Sequence, residues 1–134
     1  MEQNKLKLED CCLTIEQAKE LQALGINMDN CLMEFCSLKD LGDYHLLPKH
    51  KYENNFIRWK YILTLTNTEM LEMLPKEIDG YKLTFVYDYF RNGDDKYYIG
   101  YLKTYSAPLK ELESTLLRNS LFGMIKWLKT NKLM

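Results

Sequence analysis

Between Tyr81 and Tyr105, two alternating aromatic runs flank Arg91-Asn92-Gly93-Asp94-Asp95, and no other stretch constrains the fold as tightly. The segment holds seven of the ten tyrosines, together with Phe85 and Phe90. Bulky β-favouring residues at period two, broken by a turn-forming cluster, specify a β-hairpin. Its register depends on loop parity. An even loop sets Leu83, Phe85, Tyr87 and Tyr89 on the face of Lys96, Tyr98, Gly100 and Leu102. An odd loop aligns Tyr81, Leu83, Phe85, Tyr87 and Tyr89 with Tyr97, Ile99, Tyr101 and Tyr105, leaving Lys82, Thr84, Asp88, Gly100 and Thr104 opposite. Burial of one face sets register, so the odd loop is expected, with Gly93 supplying a positive φ as a bulge.

Around the hairpin, local signals place the other elements. Thr14 and Gln17 form a capping-box pair, and Ile15, Ala18, Leu21 and Leu24 follow at helical spacing. Gly25 ends that helix, and Ile26 can close over it. Residues 30–36 fit a short strand or a helical turn, and the hard stop at Gly25 favours the strand. Residues 37–54, with Gly42 and Pro48, read as a long loop. From Phe56 to Leu65, Ile57, Trp59, Tyr61 and Leu63 alternate with Arg58, Lys60 and Thr64, as in a strand. Thr66 and Glu69 open a helix that Pro75 stops. The last helix is expected from Pro108, capped by Ser106, with an apolar seam of Leu117, Leu121, Met124, Ile125 and Leu128. Gly123 inside it suggests a close approach to the sheet. The expectation is one α+β domain over residues 1–134, ordered α-β-β-α-β-β-α. Helices 14–24, 67–74 and 108–130 would lie largely on one face of an antiparallel sheet of about four strands.

With 134 residues, 46% of them hydrophobic, the chain can bury a core, and 28% charged residues argue against disorder. No apolar run reaches the ~20 residues of a membrane helix, and the opening Met1-Glu2-Gln3-Asn4-Lys5 is no secretion signal, so a cytoplasmic protein is expected. The net charge of −1 is unevenly spread. Residues 1–53 carry six basic and ten acidic side chains, whereas residues 103–134 carry six basic and two acidic. Lys110, Arg118, Lys126, Lys129 and Lys132 read as solvated helix charges, with phosphate or an acidic partner as the alternative.

Chemistry is sparse. Cys11, Cys12, Cys31 and Cys36 lack the paired spacing of a zinc site, and Cys31 and Cys36 lie among Leu32, Met33 and Phe35, as inert apolar thiols do. His45 and His50 are separated by Pro48, which disfavours the helix that would align them. The glycines are too scattered for a phosphate loop, and no serine sits in a nucleophile elbow. Asp94 and Asp95 belong to a turn, without the desolvation that splits a catalytic pair. No cofactor, metal or catalytic residue is assigned.

The Leu13–Gly25 segment resembles the opening of small uncharacterised proteins of phages and mobile elements of gut bacteria. Met70-Leu71-Glu72-Met73-Leu74-Pro75 resembles their central helix, and Leu121–Met134 their C-terminal helix and tail. The resemblance implies an origin and an element pattern, and it brings no activity and no site residues. A non-enzymatic accessory or protein-interaction domain is expected, with a protein partner or a second copy. Tyr98, Trp127, Lys126 and Lys129 are its candidate contact residues. Trp127, at the edge of the helical seam, would complete a subunit contact with exposed tyrosines. The alternatives are a single-stranded nucleic-acid binder, using the hairpin rings with Lys82, Lys96 and Lys103, and a small hydrolase.

Overall fold

Thr14 Oγ1 accepts from the Gln17 amide and Gln17 Oε1 from the Thr14 amide, both at 3.1 Å, and this box opens helix α1 (Ile15–Ala23). At its other end Gly25 takes φ 93°, the Ile26 amide donates to the Leu21 carbonyl, and the Gly25 amide donates to that of Gln22. This is a Schellman stop closed by the buried Ile26. The computed structural model describes residues 7–38, 43–49, 58–88 and 96–134. Its tertiary contacts divide the chain into two compact units, up to Thr66 and from Asn67 onward.

In the first unit, β1 (Met33–Leu38) lies between β2 (Tyr44–Pro48) and β3 (Arg58–Thr64), antiparallel to both. The strand favoured over residues 30–36 is therefore present, shifted to start at Met33. Strand β2 corrects the expected 37–54 loop. An edge strand tolerates Pro48 at its end because the ring removes no ladder bond needed inside the sheet. Helix α1 packs on β3. The expected inward set of β3 is also revised. Thr64 is wholly buried with its hydroxyl on the Leu13 carbonyl at 2.9 Å, while Tyr61 is half exposed.

In the second unit, helix α2 (Asn67–Met73) leads through Leu74 and Pro75 into a four-stranded antiparallel sheet, ordered β4 (Glu77–Ile78), β5 (Tyr81–Asp88), β6 (Lys96–Leu102) and β7 (Lys110–Ser114). Helix α3 (Leu117–Thr130) covers β6 and β7, and also packs on α2. Among the described residues the fold is α+β with three α-helices, but the strands form two sheets rather than one. The last helix starts at Leu117, not at residue 108. Leu109, Leu112 and Leu116 mimic a helical period, yet Lys110-Glu111-Leu112-Glu113-Ser114 alternates and pairs with β6. Gly123 does mark a close approach: a Cβ there would lie 2.9 Å from a Leu112 methyl. Leu121, Met124, Ile125 and Leu128 are fully buried, as the seam requires.

The hairpin adopts the odd register. Leu83 faces Tyr101, Phe85 faces Ile99, and Tyr87 faces Tyr97. Gly93, Tyr89, Asp94, Asp95 and His50 lie outside the described residues. Tyr105, expected on the inward face, is fully exposed beyond the end of β6, with φ 60°.

Candidate interaction surface

Asp79 (φ 49°) and Gly80 (φ 83°) both occupy the left-handed region, which gives the two-residue turn that fits the twist of an antiparallel pair. The turn folds β4 onto β5 with Ile78 opposite Tyr81, and the Leu83 amide donates to the Lys76 carbonyl at 2.9 Å. Beyond Lys76 the chain turns away through Pro75, whose carbonyl accepts from the Tyr101 hydroxyl at 2.7 Å. Burial holds the Tyr101 phenol up at about 12. Strand β4 thus covers the outer edge of β5 only as far as Leu83. Among the described residues, no strand pairs with that edge from Thr84 to Asp88.

On one face of the sheet, Phe85, Tyr87 and Tyr97 gather their rings. Phe85 stacks near Tyr97 at 6.5 Å between centroids, and Tyr87 tilts against it at 5.0 Å. Helix α3 packs on β6 and β7 of the same face, and β5 is left at its margin. Phe85 and Tyr87 are accordingly 44% and 46% exposed, and Val86 on the opposite face is 39% exposed. A half-buried strand should hide every second residue. Here three consecutive large apolar side chains are open, on both faces of one strand end.

The four residues singled out in the sequence do not form one surface. Tyr98 lies on the sheet face away from α3, beside Gly100. Its hydroxyl donates to the Glu111 carboxylate at 2.7 Å, and its pKa is pushed up to about 12, by burial first and then by that carboxylate. Trp127 is half-buried on α3, with the Lys110 ammonium 5.9 Å from its ring centroid. Lys126 is exposed and reaches over Phe122, also at 5.9 Å, and Lys129 is half-buried in the last turn. The alternation that sends Ile99 and Tyr101 inward sends Tyr98 outward, so Tyr98 and Trp127 stand on opposite sides of the sheet.

In the first unit, Cys12, Cys31 and Cys36 are buried and Cys11 is half-buried, with no disulfide among them. His45 is exposed on β2, directly opposite Cys36. Among the described residues, no group of three or more His, Cys, Asp and Glu side chains is placed to hold a metal ion. Among the same residues, no helix is long and apolar enough to cross a membrane.

Sequence reasoning named the hairpin but not its edge. The legible signal was Asp79-Gly80 between Ile78 and Tyr81, which marks a two-residue hairpin and hence a third strand beside β5. No family model matches this chain, and neither curated proteins nor solved structures give a match.

Proposed function

We propose that this chain is a protein-interaction module, and that it makes its contacts through the outer edge of β5. One observation carries the reading: Phe85, Val86 and Tyr87 are exposed in sequence beside a backbone edge that β4 leaves uncovered. Such an edge is a template for an incoming strand, with main-chain bonds giving affinity and alternate side chains giving selectivity. The other edge of this sheet is guarded, because strand β7 carries Lys110, Glu111 and Glu113. The segment Thr84–Tyr87 has neither charge nor proline. The resemblance of Leu13–Gly25, Met70–Pro75 and Leu121–Met134 to phage and mobile-element proteins supports an accessory role in such an element.

The nucleic-acid reading rests on the same rings, so one experiment separates the two. A photo-reactive amino acid is placed at Tyr87, and a control at Lys19, which is exposed on α1. Both proteins are irradiated in native-host lysate and with a labelled oligothymidylate. A discrete protein adduct from position 87, absent from position 19, supports the proposal. An oligonucleotide adduct that fades steeply with salt supports the nucleic-acid reading and overturns it. Identical adducts from both positions overturn it as well.

A further inference from the structure

Resting on the interaction-module reading, we infer a second recognition point: Tyr105, held out by the β6–β7 connection, anchors a protein partner whose apolar pocket is rimmed by carboxylates. The backbone is the first ground. The Ser106 amide donates to the Lys103 carbonyl at 3.2 Å, so Lys103-Thr104-Tyr105-Ser106 is a hydrogen-bonded β-turn. Its third residue, Tyr105, has φ 60°, and its second, Thr104, has no positive φ. This is the pattern of a type II turn, which calls for glycine or asparagine at the third position. A Cβ there crowds the following carbonyl, so tyrosine is a costly choice.

A tyrosine that serves the fold offsets such a cost by burying its ring. Tyr105 does not, because its side chain is fully exposed. Backbone conformation and exposure are separate observations, and both point away from a structural role. An unfavourable φ with no packing to offset it marks a residue that acts on another molecule.

The turn is presented on a fixed base. The Leu109 amide donates to the Tyr101 carbonyl at 3.0 Å, which closes the connection onto β6. At its start the Lys103 ammonium lies 5.6 Å from the Tyr81 ring centroid, and at its end the Lys110 ammonium lies 5.9 Å from that of Trp127. Pro108 fixes one further φ between them. With the base held, clasping the ring costs only the freedom of the two side-chain torsions of a tyrosine.

The surroundings of the ring state the chemistry of the partner. A side chain on a protruding turn needs a concave site. Ala107, Pro108 and Leu109 are exposed in succession beyond it, which suits an apolar pocket wall. Lys103 and Lys110 stand at the two roots of the connection, and residues 102–110 include no acidic side chain. A cation over an aromatic ring keeps its charge, so both lysines attract carboxylates at the pocket rim. A single-stranded nucleic acid also stacks on exposed rings, but its phosphates need donors, and Ala107-Pro108-Leu109 has no polar side chain.

Stability and binding test this in opposite directions. In urea unfolding, Tyr105→Gly should leave the midpoint unchanged or raise it, because glycine suits the turn. A lowered midpoint overturns the inference, since the ring would then serve the fold. For binding, a photo-reactive amino acid at the exposed Thr104 is irradiated in nuclease-treated native-host lysate. The adduct is identified by mass spectrometry, and that protein is purified and titrated by calorimetry. Its Kd should weaken at least about tenfold with Tyr105→Gly, as at an interface hot spot. Lys103→Glu should weaken it further at low salt, and an unchanged Kd in either variant overturns the inference. A labelled oligothymidylate adduct at Thr104 that fades with salt overturns it in favour of nucleic acid. No protein adduct at Thr104 overturns it too; if the probe at Tyr87 still captures a protein, the interaction module stands without Tyr105. Capture at Thr104 that depends on Tyr105, with none at Tyr87, supports the inference and counts against the β5 edge.

Discussion

Gly100→Ala should destabilise the second unit, although alanine suits a strand better than glycine does. Gly100 needs no positive φ, so the backbone alone would accept the methyl group. The obstacle is Tyr98. An added Cβ would lie 2.8 Å from the Tyr98 hydroxyl oxygen, 3.1 Å from its Cζ and 3.2 Å from the Lys110 carbonyl oxygen. The ring lies against the glycine and fills the space a side chain would take. To make room it must swing away, and the 2.7 Å bond to Glu111 is then lost. Overpacking of this kind costs about 1–3 kcal/mol. A partly exposed hydrogen bond to a carboxylate adds about 1 kcal/mol. Reduced freedom of the unfolded chain offsets about 0.4–1 kcal/mol. The net loss should be about 1–3.5 kcal/mol, read from urea unfolding midpoints at neutral pH. The diagnostic is a change of sign. In a Tyr98→Ala background only the Lys110 carbonyl contact remains, so Gly100→Ala should be neutral or stabilise by up to about 0.5 kcal/mol. The Tyr98 pKa, resolved by ring-carbon NMR, should also fall from about 12 towards 10 in Gly100→Ala. Equal destabilisation in both backgrounds would refute the reasoning.

Two further outcomes are expected. Leu121→Ala, at a fully buried position, should cost about 2–5 kcal/mol, while Trp127→Ala should cost less than half as much because its ring is half-buried beneath Lys110; urea titration of each variant compares them. Tyr101 has a folded-state pKa of about 12 against about 10 unfolded, so its contribution is complete below pH 10 and is lost as pH rises from 10 through 12, by on the order of 2–3 kcal/mol. Tyr101→Phe should lose that alkaline step and cost about 1 kcal/mol at neutral pH, from the missing bond to Pro75.

Much of the architecture was legible where one local rule acts alone. Thr14, Gln17, Gly25 and Ile26 fix both ends of α1 through backbone bonds that depend on no distant contact. The hairpin register followed from which alternation hides apolar faces, because only the odd loop sends Ile99 and Tyr101 inward together with Leu83. Strand β7 was hidden because the leucines at 109, 112 and 116 satisfy a helical period. Pairing with β6, a tertiary effect, overrides it. The candidate surface was harder still. Nothing in Phe85-Val86-Tyr87 distinguishes it from core strand. Its exposure arises because β4 covers only part of β5, and because α3 packs on β6 and β7. Tyr98 looked like surface aromatic stock, yet it is committed to Gly100 and Glu111.

Amide hydrogen exchange along β5, followed by NMR, tests the uncovered edge most directly. The Phe85 amide should exchange quickly, because β4 stops short of it, while those of Thr84 and Val86 are slow because they face β6. Protection of the Phe85 amide equal to that of Thr84 and Val86 would contradict the account.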